Sequence, residues 1–180
     1  MCKALLVIDM QKGSFTSKTP RFDSDAIVKR INLLSKEFRK SENHVVFVQH
    51  DGSKENTFIP ETTEWELLSD LEIHPNDFII QKTANDSFYN SALHHKLLDL
   101  KVKELFITGC ATDFCVESTI QSALSKNYEI TIVRDGHTTA DRPHLKAEEV
   151  IEHYNWVWQN MIPTSGHISV IDSKEIVLNP

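Results

Sequence analysis

Glu104-Leu105-Phe106-Ile107-Thr108-Gly109-Cys110-Ala111-Thr112-Asp113-Phe114-Cys115-Val116-Glu117 is the stretch whose reading decides the fold. Its apolar run is typical of a strand covered on both faces. A sharp turn follows, then a helix to about residue 125 whose inner face is Val116, Ile120, Ala123 and Leu124. Thr112 and Asp113 are residue types that cap helix starts. Cys115 then falls in the first turn of a helix after a strand. Unpaired backbone N–H groups and the positive end of the helix dipole favour a thiolate there, and the same N–H groups could hold an oxyanion. The competing reading is plain: cysteines are often buried, inert small hydrophobes.

Working outward, the same alternation repeats. Residues 4–8 (Ala-Leu-Leu-Val-Ile) form a buried strand ending at Asp9. Ser24 or Asp23 caps a helix with Ile27, Ile31, Leu34 and Phe38 on one stripe. Strands follow at 45–48 and 78–80, the latter ending at Gln81-Lys82. They are separated by a long segment, 53–76, that is irregular or briefly helical around Trp65 and suited to carrying part of a site. Ser91 starts a helix with Leu93, Leu97 and Leu100, and a fifth strand covers 130–133. Pro143 opens a helix running through Met161, a sixth strand spans 167–171, and 175–178 is a last short strand or a tail. The expected architecture is one α/β domain over 1–180: a mostly parallel open sheet with helices on both faces. No Gly-rich dinucleotide fingerprint follows any strand.

A chain of 180 residues is long enough to bury a full core. Net charge of −7 without a basic cluster argues against nucleic acid and anionic membranes as partners. Three cysteines, an odd count, and an N-terminus without a signal-peptide pattern lead us to expect a reducing, cytoplasmic setting.

Sites in open α/β sheets form beyond the carboxyl ends of strands. Asp9, Lys82 and Cys115 each stand at such an end. A thiol titrating near pKa ~8.5 needs a base or a nearby cation to attack at neutral pH. Asp9 could take its proton, and Lys82 could hold Asp9 ionised. Singly, each also reads as a cap or a solvated strand-end residue.

Three ordered blocks resemble the isochorismatase-like cysteine hydrolase family. They are Val7-Ile8-Asp9-Met10-Gln11 with Phe15, Lys82 with Ser87-Phe88, and Gly109 through Val116. The resemblance implies a catalytic triad of Asp9, Lys82 and Cys115 on a three-layer α/β/α domain, flavodoxin- or Rossmann-like. It also implies a cis Cys110–Ala111 peptide and an oxyanion hole from the amides of Ala111 and Cys115. Members are usually dimers or tetramers, so a homodimer or homotetramer is expected. Nicotinamidases in this family resemble one another in an Asp-x-His metal pair with a further histidine. Here the region reads Gln49-His50-Asp51-Gly52-Ser53 with no histidine until His74, so no metal and no cofactor are expected. The resemblance is therefore to the subgroup that lacks the pair.

The expected activity is hydrolysis of a small-molecule amide or carbamoyl C–N bond through a Cys115 thioester. Gln11, Phe15, His50, Trp65, Phe88, Phe114 and His137 are the candidate substrate-binding residues. Two rivals stand beside this reading: an inactive binding module, and ether hydrolysis of the isochorismatase type.

Overall fold

Five consecutive residues, Ala4 to Ile8, are each 0% exposed within β1 (Cys2–Ile8), because packed side chains cover both faces of this strand. The computed structural model describes residues 2–178. Among these, six strands form one parallel sheet in the order β3-β2-β1-β4-β5-β6. The remaining strands are β2 (His44–His50), β3 (Phe78–Lys82), β4 (Val102–Cys110), β5 (Glu129–Thr138) and β6 (Ile168–Ile171). Of the two arrangements expected, this is the Rossmann-like one. The end of β1 is flanked on both sides, Ile8 lying opposite Val48 of β2 and Gly109 of β4. The connections leave β1 and β4 in opposite directions, which opens a crevice between their carboxyl ends.

Right-handed crossovers decide which face each connection covers. The step from β1 to β2 puts α1 (Ser24–Lys40) on one face, where Ile27, Ile31 and Phe38 pack on Leu5, Val7 and Phe106. The step from β2 to β3 lands on the same face without an α-helix, and Leu67, Leu68 and Leu71 fill that space. The opposite face receives α2 (Leu93–Asp99), α3 (Glu117–Ser125) and α4 (Ala147–Gln159), through Leu93, Ile120 and Trp158. Each such side chain contributes about 1.5–3 kcal/mol by leaving water. Among the described residues no helix is long and apolar enough to cross a membrane.

Several local expectations are corrected. The final helix starts at Ala147, four residues past Pro143, because residues 142–145 close on themselves (Arg142 N–H to Leu145 O, 2.8 Å). Glu149 and Asp141 carboxylates then accept from the backbone N–H groups of Lys146 and Ala147 at 2.7 and 2.9 Å. Asp23 is the N-cap residue of α1, but its carboxylate makes no capping hydrogen bond and pairs with Arg30 at 2.8 Å instead. Residues 173–175 make one 3₁₀ turn, and of the two readings of 175–178 the tail holds, with Ile176 and Leu178 packed on the α1 side. The helix anticipated after Thr112 begins as a π-helical turn, Thr112–Val116, that passes into α3.

Candidate active site

Asp9 directly after β1, Lys82 at the end of β3 and Cys115 in the π-helical turn after β4 meet. Lys82 Nζ lies 2.7 Å from Asp9 Oδ2 and 3.4 Å from Cys115 Sγ, and donates to the Ala84 carbonyl at 2.8 Å. β3 is the edge strand, two strands from β1, so only a long side chain spans the gap. Lysine's four-carbon stem does so, and Lys82 is left 1% exposed. Asp9 is 5% exposed with a left-handed backbone (φ 47°), a conformation aspartate tolerates better than most residues. Its second oxygen, Oδ1, is buried with no hydrogen-bond partner among the described residues, leaving an acceptor unused.

The charge balance follows from burial. Desolvation pulls the Lys82 pKa down, but Asp9, together with Cys115, outweighs it and holds the ammonium above its ordinary value. Burial pushes the Cys115 thiol up, the Asp9 charge pushes it further, and Lys82 only partly opposes them. The resting group is therefore a neutral thiol beside an Asp9–Lys82 ion pair. Dehydration of the sulfur works against the preference for a thiolate that a helix start gives, so the thiol needs Asp9 as its base.

Gly109 explains the closeness of the two strands. Its φ is +122°, and a Cβ there would fall 2.2 Å from the Ile8 carbonyl oxygen. Only glycine lets β4 run this close to the strand that carries Asp9. The Cys110–Ala111 peptide is cis.

A cavity of about 280 Å³ opens over this group. Cys115, Asp9, Ala111, Phe114 and His50 line it, as do Arg21, Phe58 and Asn85, three residues that sequence reasoning missed. Asn85 Oδ1 is 3.6 Å from the Cys115 sulfur. Phe58 comes from the long connection between β2 and β3 and packs edge-on against the His50 ring at 6.0 Å. His50 is half-buried and kept neutral, first by desolvation and then by Lys82. Its Nδ1 has no partner among the described residues.

Other expected wall residues lie elsewhere. Phe88 is in the core with Tyr128, ring centroids 5.9 Å apart, because Ser87 is tied to Thr119 of α3 and turns the next side chain inward. Phe15 faces a separate groove beside α1. Trp65 contributes its backbone carbonyl, which accepts from Gln11 and Gln49 at 2.8 and 3.2 Å. Gln11 does border the cavity, but its amide is fully engaged with Trp65 and with both backbone groups of His50. It splints loops together rather than offering free polar groups. His137 is sealed off, accepting from Thr112 through Nδ1 at 2.9 Å and donating from Nε2 to Asn155 Oδ1 at 3.0 Å. Asp113 does not cap a helix either: Arg142 grips it with two N–H groups at 2.7 Å, and Thr139 donates to it at 2.7 Å.

A sheet of this order with a thiol, a carboxylate and an ammonium at its switch point defines a class of α/β protein with a crevice site. The family model described as the isochorismatase domain matches residues 3–162, and the chain belongs to that family. A streptothricin hydrolase of Streptomyces noursei is 30% identical over 141 residues, which is 78% of this chain and 56% of that protein. The chain thus spans about half the length of that relative. The ureidoacrylate amidohydrolase RutB of Variovorax paradoxus is 33% identical over 72 residues, 40% of this chain and 29% of the relative. A crystal structure of an isochorismatase family protein superposes with a TM-score of 0.84 at 29% identity, covering 93% of this chain and 96% of the other.

Proposed function

We propose that the protein hydrolyses a C–N bond of a small amide or carbamoyl compound, with Cys115 as nucleophile. The observation that carries this reading is the Lys82 ammonium bridging Asp9 and the sulfur at 2.7 and 3.4 Å, beside a cavity that Asp9 and Cys115 line. Names among the relatives, a hydrolase of streptothricin and an amidohydrolase of ureidoacrylate, point the same way.

In this reading Asp9 accepts the thiol proton as the sulfur attacks the carbonyl carbon. Lys82 stabilises both the carboxylate that gives up its negative charge and the thiolate that gains it. The resting pair is Asp9⁻ with a neutral thiol, so proton transfer is coupled to attack. The carbonyl oxygen becomes an oxyanion held by the backbone N–H groups of Ala111 and Cys115, at the start of the π-helical turn where such groups lack intrahelical acceptors. Asp9 then protonates the departing nitrogen as the C–N bond breaks. Water, deprotonated by Asp9, cleaves the thioester and restores the thiol. One donor at an oxyanion is worth about 2.7–4 kcal/mol of barrier, so the two backbone groups matter as much as the base.

Ammonia release from a panel of small primary amides and carbamoyl compounds tests this. The parent protein is expected to release it and Cys115→Ala to lose it. Equal turnover by Cys115→Ala would overturn the reading.

A further inference from the structure

Among the residues lining the cavity, only Asp9 and Arg21 carry charge at neutral pH, since His50 is kept uncharged. Asp9 is neutralised by Lys82. Arg142, the nearest comparable cation on the Phe114 side, is bound to Asp113 and stacked over the Phe114 ring at 5.0 Å. Arg21 is different. Its Nε donates to the Ser14 carbonyl at 2.7 Å, which fixes the plane of the guanidinium, and no carboxylate pairs with it among the described residues. The two Nη groups are left as a preset fork, the geometry that binds a carboxylate through two parallel hydrogen bonds. The whole chain carries −7, so its long-range field does not attract anions. A cation in the cavity wall with no carboxylate partner among the described residues runs against that overall charge.

We propose that Arg21 selects the substrate: the protein takes small amides or carbamoyl compounds that also bear a carboxylate, and Arg21 binds that carboxylate. This rests on the amide-hydrolase reading above and narrows its substrate class. A cavity of about 280 Å³ limits the molecule to a small one. Phe58 and Phe114 offer apolar contact to the spacer between the two ends.

The test compares succinamate with the neutral succinamide, and N-carbamoylglycine with its amide. Binding is measured by calorimetry on Cys115→Ala, and turnover on the parent. The anionic member of each pair is expected to bind about 10- to 100-fold more tightly, the range for a hydrogen bond to a charged group. Arg21→Gln is expected to bring the ratio close to one, and Arg21→Lys to keep part of it. Equal affinities, no measurable binding of either anion, or a preference that survives in Arg21→Gln would overturn the proposal. Turnover of both members without preference sinks this inference and leaves amide hydrolysis standing. Arg21-dependent binding of the anions without ammonia release does the reverse.

Discussion

At the residue scale, the chemistry depends on a buried charge pair that tolerates no half measures. Asp9→Asn leaves Lys82 buried beside a neutral amide, and removing one partner of such a pair typically costs about 3–5 kcal/mol. Denaturant melts should therefore show Asp9→Asn strongly destabilised as well as inactive. Lys82→Met removes the charge that opposes the rise in the thiol pKa. The parent should alkylate slowly with iodoacetamide at pH 7 and faster as the pH rises, and Lys82→Met more slowly still at each pH. Fast alkylation of the parent at pH 6 would contradict a resting thiol. Slow labelling at neutral pH is thus no sign of an inactive protein, as a raised thiol pKa produces it too. Gly109→Ala drives a methyl group into the Ile8 backbone and should cost more than about 2 kcal/mol, the range of steric conflict in a packed core. An unchanged melting temperature would mean that β1 and β4 can separate freely.

At the scale of elements, the π-helical turn that carries Cys115 is held from outside. Asp113 is clasped by Arg142 and Thr139 from the segment after β5, and Thr112 is bonded to His137, which bonds Asn155 of α4. His137 is 1% exposed, and burial drops its pKa to about 4. The unfolded value is about 6.5, so the unfolded chain takes up the proton first. The resulting stability is fully present above pH ~6.5 and is lost as the pH falls toward 4, about 3 kcal/mol in all. Chemical denaturation at pH 7 and pH 4 should register that loss in the parent and much less of it in His137→Gln. Equal losses would show that another group titrates. These ties were not legible beforehand. Asp113 and His137 were read locally, as a cap and a wall residue, because their partners lie 18 or more residues away in sequence.

At the scale of the molecule, the sheet order explains why one crevice collects the chemistry. β1, β2 and β4 are covered on both faces and flanked by neighbours on both edges, whereas β6 is an edge strand whose four residues are only half-buried. Native-state hydrogen exchange should find the slowest amides in β1, β2 and β4, and faster exchange in β6 and in the connection from β2 to β3. Comparable protection in β6 would argue that something further covers that edge.

The sequence alone determined the alternation of strands and helices, and with it a parallel sheet. It also picked out Asp9 and Lys82, which end apolar strands, and Cys115, at the helix start just past another, since an ionisable group in such a place stands out without any neighbour being known. Folding decided what periodicity does not carry. Arg21, Phe58 and Asn85 lie on loops with no repeat, and they reach the cavity only because the crossovers return those loops to the same end of the sheet. Phe88 and His137 went the other way, into the interior, drawn by bonds to α3 and α4. The rise in the thiol pKa likewise comes from packing, because dehydration depends on everything around an atom and a local motif reports only what is beside it in the chain.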